Sequence, residues 1–214
     1  MRLQKVVLAS GSEWRLRLLH EAGVPCEAVS PGTVEDAVVE TDPMKRAVGR
    51  ATAKALAVAS GRPDALVIGA DQVVHLDGQL FGKPRDDAHW REMLGALVGK
   101  THSLTTGVAL VGEGINEAFH VTTTVTFRAD LTDDELRAYV ASGEARSCAG
   151  GYMVERRGAW LVARIDGDWN NVIGLPIGAV IARLRAAGWR LDAVLAAPPL
   201  HTVPLEPGPL AAPS

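Results

Sequence analysis

The residues of this sequence that could do chemistry are hydroxyls, cations and carboxylates suited to a phosphorylated substrate. Ser10-Gly11-Ser12 precedes an apolar periodic segment, with Arg15 one turn into it. Free backbone N–H groups, two hydroxyls and the positive end of a helix all favour an anion there. A plain helix cap beside a surface arginine explains the same residues equally well. Asp71 follows a buried apolar run and a glycine, so its carboxylate emerges where an open α/β sheet usually meets its ligand. There it can hold a divalent cation or orient water, although a turn aspartate satisfying its own backbone fits too. Glu35 and Asp36 add two loop carboxylates, and Lys54 and Lys83 add cations. Each alone reads as a solvated surface charge. In combination they supply what attack of water on phosphorus needs, charge neutralisation on the oxygens and a positioned nucleophile.

Other chemistries are poorly served. Gly95-Ala-Leu-Val-Gly99-Lys100-Thr101 has three residues between its glycines where a P-loop needs four, and it follows a helix instead of a strand. The six histidines are scattered without zinc-ligand spacing. A net charge of −3 argues against a broad surface for a nucleic acid polymer, while a local basic pocket for a small anion stays compatible with it. Cys26 and Cys148 form no paired motif, which predicts a reducing, cytoplasmic setting. The N-terminal apolar run is too short for a secretion signal or a membrane span.

The elements that must position these residues interleave. Val6 to Ala9 reads as a buried strand, followed at once by a helix through Trp14, Leu18, Leu19 and Ala22 with Gly23 as its stop. Asp42 and Pro43 predict the N-terminus of a helix running to Ser60. Ala65 to Gly69 and Gln72 to Leu76 read as two strands with Gly69-Ala70-Asp71 between them, and Asp77-Gly78 as a tight turn. A helix is expected over Asp86 to Leu97, and long strands over Ser103 to Val111 and Ala118 to Arg128. Thr132 and Glu135 predict a capping box, Trp160 to Ile165 a strand, and Pro176 to Ala187 a last helix. The adjacent long strands favour a mixed sheet over a purely parallel one. One α/β domain is expected over residues 1–190. Residues 191–214 have no regular period and hold six of the twelve prolines, so they are expected to be a disordered tail.

Taken in order, Leu8-Ala-Ser-Gly-Ser-Glu-Trp-Arg15, Gly69-Ala-Asp-Gln-Val-Val74, Gly82-Lys-Pro84, Ser142-Gly-Glu144, Cys148-Ala-Gly-Gly-Tyr152 and Asn171-Val-Ile-Gly-Leu-Pro176 resemble the motifs of the Maf family of nucleotide pyrophosphatases. The resemblance implies an α/β fold with a mixed sheet, flanking helices and a ligand cleft between two lobes, often dimeric. It implies cleavage between the α- and β-phosphates of a nucleotide with a divalent cation such as Mg²⁺ or Mn²⁺. Carried onto this sequence, Asp71 is the catalytic acidic residue, as base or as metal ligand. Ser10, Ser12, Arg15, Lys54 and Lys83 bind phosphate, and Asp71, Asp36 and Glu35 are the metal candidates. Two departures stand out: Glu13 replaces a usual proline, and Glu35-Asp36 reverses the common Asp-Glu order.

The family's branches differ at the positions of Trp14, Gln72 and Glu155, and the residues here resemble the branch associated with 7-methyl-GTP. A methylated guanine carries positive charge, which suits an aromatic face and a carboxylate. Trp14 as a core aromatic and Glu155 as a surface ion pair with Arg156 or Arg157 are the competing readings. Two alternatives stay open: the same enzyme acting on dTTP and UTP, and a non-catalytic nucleotide-binding regulator of cell division.

Overall fold

A computed structural model describes residues 5–112 and 114–196 of the chain. The β-branched run β1 (Lys5–Ala9) is buried from Val6 onward. Ser12 then caps α1 (Glu13–Glu21) by accepting from the Arg15 amide, and the chain returns through β2 (Cys26–Ala28). Asp42 accepts from the Lys45 amide at 2.8 Å and Pro43 takes the first position of α2 (Pro43–Ala59), as the residue types predict. There follow β3 (Ala65–Leu76), β4 (Gln79–Phe81), α3 (Asp87–Leu97), β5 (Thr101–Gly112), β6 (Ile115–Phe127) and α4 (Asp133–Ala141), the last opened by the expected Thr132–Glu135 capping box. The chain closes with β7 (Val162–Asp166), α5 (Trp169–Ile173), α6 (Ile177–Ala186) and α7 (Leu191–Ala196).

The strands form one mixed sheet in the order β2-β1-β3-β5-β6-β7, with β4 paired to β3. β1 is parallel to β2 and β3, whereas β3, β5, β6 and β7 are successively antiparallel. The central strands run 12, 12 and 13 residues, roughly 40 Å each at about 3.3 Å per residue. That length lets one sheet carry two lobes. At one end α1 and α6 pack Leu19, Val180 and Leu184 on Leu8, Ile68 and Leu110. At the other, α3 and α4 pack Trp90, Leu94 and Tyr139 on Val74, Leu104 and Phe127. On the reverse face of the first lobe α2 covers Val7, Val67 and Ala109 with alanines.

Three expectations need correction. Gly69-Ala70-Asp71 is not a break between strands: β3 runs through it, paired with β5 from Val67 opposite Val111 to His75 opposite Ser103. Gly69 serves close packing instead, since a Cβ there would lie 2.2 Å from the Ala51 carbonyl oxygen of α2. The strand expected from Trp160 starts later, because residues 157–161 form a 3-10 turn that leaves Trp160 82% exposed. The segment after Leu191 begins with α7, where Val194 packs on the first lobe. The remainder of the Pro-rich tail, 197–214, lies outside the described residues. No helix among the described residues is long and apolar enough to cross a membrane.

His102 lies in the second lobe at 1% exposure, its Nε2 2.7 Å from the Tyr152 hydroxyl and its Nδ1 without a partner. Phe127 and Tyr152 meet its ring edge-on. Burial, helped by nearby His75, depresses its pKa from 6.5 to about 4. Protonation is thus easier in the unfolded chain, and the stabilisation present above pH 6.5 is lost as pH falls towards 4. The loss expected is about 3 kcal/mol. Urea unfolding across this window should show that slope, and His102→Gln should flatten most of it. His75, also lowered by burial, supplies the remainder, and an unchanged slope in the variant would overturn the assignment.

Candidate active site

Local strand pairing creates the site. β1 ends with Ala9 opposite Gly69, and β4 pairs only from Phe81 opposite Val74. On that side Ala70, Asp71, Gln72 and Val73 therefore have no strand partner, and β3 presents an open edge between the lobes. A cleft of about 1000 Å³ opens there. The segment from Glu144 to Arg156 forms one wall. It is anchored by the Trp90 indole N–H donating to the Gly151 carbonyl at 2.7 Å and by the Met153 amide donating to the Tyr139 hydroxyl at 3.1 Å.

Arg15 fills part of this edge. Its Nη1 donates to the Ala70 carbonyl at 3.0 Å and to Ser10 Oγ at 3.2 Å, and its Nε to the Gly174 carbonyl at 2.9 Å. It is thus a half-buried brace joining α1, β3 and the end of α5, and not the surface arginine of the simplest sequence reading. Burial pulls its pKa below the usual range, opposed by the charges of Asp71 and Glu35. Ser10 is buried, while Ser12 is committed to capping α1.

Asp71 alternates onto the α2 face of the sheet. Its Oδ1 accepts from Lys54 Nζ at 2.7 Å, and the same ammonium lies 3.3 Å from Glu35 Oε1. Lys54 is 6% exposed and Asp71 8%, so the pair is held in a largely dry environment. Asp71 Oδ2 and Glu35 Oε2 are both buried without a partner. Ionised carboxylates only accept, so two such vacant oxygens flanking one lysine fit a bound cation. Among the described residues no three His, Cys, Asp or Glu side chains converge. A cation held here would take two protein carboxylates and draw its other ligands from substrate or water, the usual manner of Mg²⁺. Asp36 is exposed and lies on the cleft rim, as does Lys83. Of the adjacent acidic pair, Glu35 is the one brought to Lys54.

Sequence reading missed Arg50, whose Nη1 stands 4.0 Å from Asp71 Oδ2. The available signal was its four-residue spacing from Lys54 on one helix face.

At the other end of the cleft Trp14 is half-buried, with the Arg156 guanidinium 5.1 Å and that of Arg17 5.9 Å from its ring. Glu155 is half-buried in the wall and makes no ion pair among the described residues, so it is not a surface bridge to Arg156 or Arg157. Burial raises its pKa, Glu144 adding to the effect and Arg156 opposing it. Gln72 points to the face opposite Asp71. Its amide donates to the Asn171 carbonyl at 2.6 Å and to Thr106 Oγ1 at 3.2 Å, which ties it to α5.

A family profile described as Maf-like protein matches residues 5–187. A Deinococcus radiodurans protein named dTTP/UTP pyrophosphatase is 44% identical over 86% of this chain and 93% of its own length. A Moorella thermoacetica protein of the same name is 45% identical over 82% and 91%, and one from Bacillus cereus is 39% identical over 86% and 95%. Among solved structures the Staphylococcus aureus Ham1 protein is similar at 15% identity and a TM-score of 0.41, covering 58% of this chain and 72% of that one. The profile spans both lobes and the cleft between them, and with relatives of this similarity over most of both lengths, the chain belongs to the Maf-like protein family.

Proposed function

We propose that the protein is a nucleoside triphosphate pyrophosphatase that hydrolyses dTTP and UTP between the α- and β-phosphates, releasing the nucleoside monophosphate and pyrophosphate. The observation that carries the chemistry is the Lys54 ammonium shared by Asp71 and Glu35, each with a second buried oxygen left vacant. A divalent cation, where bound by those two carboxylates, supplies charge neutralisation on the phosphate oxygens. Lys54 fixes the Asp71 carboxylate in one orientation, with its free oxygen directed to the reacting centre. Water attacks the α-phosphorus and gives up a proton, to the free Asp71 oxygen where that acts as base and to bulk water where it acts as cation ligand; the bond to the bridging oxygen breaks, and pyrophosphate departs with that oxygen. Ser10 and the α1 N-terminus line the path of the phosphates, where backbone N–H groups favour negative charge.

The names of the relatives support dTTP and UTP over the 7-methyl-GTP expected from Trp14, Gln72 and Glu155. A physical reason points the same way. The Arg156 guanidinium already lies over the Trp14 ring, so a positively charged base brought to that ring meets a like charge, whereas a neutral pyrimidine does not. Glu155 suits the N3–H of uracil or thymine and repels the N3 lone pair of cytosine.

The test is pyrophosphate release from dTTP, UTP, CTP, GTP, ITP and 7-methyl-GTP with Mg²⁺ or Mn²⁺ and with a chelator control. Metal-dependent turnover led by dTTP and UTP is expected, with CTP poor. Preference for 7-methyl-GTP would overturn the substrate assignment, and no turnover of any nucleotide would overturn the activity and favour a binding regulator. Removing the competing cation with Arg156→Ala should raise 7-methyl-GTP turnover relative to dTTP by about fivefold, the equivalent of roughly 1 kcal/mol of cation–π attraction. An unchanged ratio would show that Arg156 does not guard the base site.

A further inference from the structure

Three cations of α2, Arg46, Arg50 and Lys54, line the cleft at four-residue spacing, each step advancing about 6 Å along the helix. Lys54 is taken up by Asp71 and Glu35, and Arg46 donates to the Glu40 carbonyl at 3.0 Å. Arg50 differs from both. Its side chain is 22% exposed, its Nε is buried without an acceptor, and its Nη1 stands 4.0 Å from an Asp71 oxygen that is itself without a donor. That separation is too long for a hydrogen bond. An unpaired guanidinium N–H requires an anion and the unpaired carboxylate oxygens beside it require a cation. A phosphate chain carrying a divalent ion meets both demands at once.

The direction of the chain follows from the sheet. Trp14 belongs to α1, which packs on one face, while α2 packs on the other, and the open edge of β3 connects the two sides. A nucleotide with its base at Trp14 and its reacting phosphate at Asp71 sends its remaining phosphates along α2. Resting on the pyrophosphatase reading above, we infer that Arg50 binds the β- and γ-phosphates directly and holds the departing pyrophosphate, in addition to standing beside Asp71.

Binding of inorganic pyrophosphate to the full chain by titration calorimetry with Mg²⁺ tests this without requiring turnover. Arg50→Gln should weaken pyrophosphate binding about tenfold or more, because charge-assisted bidentate donation is lost. It should leave dTMP affinity unchanged, and Arg50→Lys should recover part of the loss. An arginine that only props Asp71 would lower kcat for dTTP and leave pyrophosphate affinity as in the parent, and that result would overturn the inference. Should circular dichroism show that Arg50→Gln does not fold, Arg50→Lys alone decides the matter. It must weaken pyrophosphate binding by about threefold or more, and parental affinity overturns the assignment. The two proposals fail separately. A parent protein that binds pyrophosphate through Arg50 but hydrolyses no nucleotide removes the proposed activity, whereas one that turns over dTTP and loses no pyrophosphate affinity in Arg50→Gln removes only the role of Arg50.

Discussion

Asp71→Asn is expected to lower pyrophosphate release from dTTP by about 10³-fold while leaving the thermal midpoint close to that of the parent protein. The two effects separate because of how the carboxylate is partnered. Its Oδ1 accepts from Lys54, but its Oδ2 is buried with nothing to satisfy it, and a second carboxylate, Glu35, shares the same lysine at 3.3 Å. Breaking a buried ion pair normally costs roughly 3–5 kcal/mol because the surviving charge is stranded. Here Lys54 keeps Glu35, and the neutral amide can still accept its hydrogen bond, so most of that penalty does not arise. Removing one negative charge also eases the repulsion between the two carboxylates. The chemistry has no such substitute. An amide neither takes a proton from water nor matches an ionised carboxylate as a cation ligand, so the loss follows whether the free oxygen acts as base or as ligand. Steady-state assays and calorimetric melting on the same preparation check both halves. Turnover within tenfold of the parent would remove Asp71 from the reaction. A collapse of the thermal midpoint equal to the loss of activity would make the residue structural.

What the sequence discloses and what it hides divide along the line between local and non-local causes. The Asp42 cap, the Pro43 start and the Thr132–Glu135 box are statements about neighbouring residues, and each is found as read. Asp71 and Lys54 each read as a solvated charge when taken singly and are joined only by the family resemblance, and the structure places those side chains 2.7 Å apart. The continuity of β3 was hidden because Gly69-Ala70-Asp71 has the composition of a turn, and only the partner strand β5 and the weight of α2 explain it as strand. The bracing role of Arg15, read from the sequence as a phosphate ligand or a surface cation, was hidden for the same reason, since its acceptors at Ala70 and Gly174 lie 55 and 159 residues away. Gln72, read as a specificity residue from the resemblance, lines the cleft and donates its amide N–H to the Asn171 carbonyl of α5, a contact between distant residues that no local pattern shows. The short strand β2 and helix α5 carry too few residues for periodicity to declare them.

Gly107→Ala should be the most damaging conservative substitution in the chain, costing on the order of 3 kcal/mol of stability and about 10²-fold in the activity of whatever remains folded. Gly107 lies directly across the β3–β5 ladder from Asp71. A Cβ at this position would sit 2.2 Å from the carbonyl carbon of Ala47, 2.3 Å from its oxygen and 2.4 Å from the Val48 nitrogen. All three are backbone atoms of α2, so no rotamer change relieves the overlap and the whole helix must lift by an ångström or more. Ala47, Ala51 and Ala55 are fully buried, which shows how closely the helix lies on the sheet and how much contact such a shift would forfeit. Lys54 rides on the same helix, and moving it away from Asp71 disturbs a 2.7 Å contact at the reacting centre. Gly178→Ala provides the contrast. That glycine is exposed in α6 with no atom near its added Cβ, so alanine there should stabilise by about 0.5–1 kcal/mol through helix propensity. Urea unfolding of the two variants beside the parent, with dTTP turnover corrected for the folded fraction, separates the causes. Equal stability of Gly107→Ala and the parent would mean that α2 does not need glycine beneath it. Lost stability with full specific activity would mean that the helix resettles without moving Lys54.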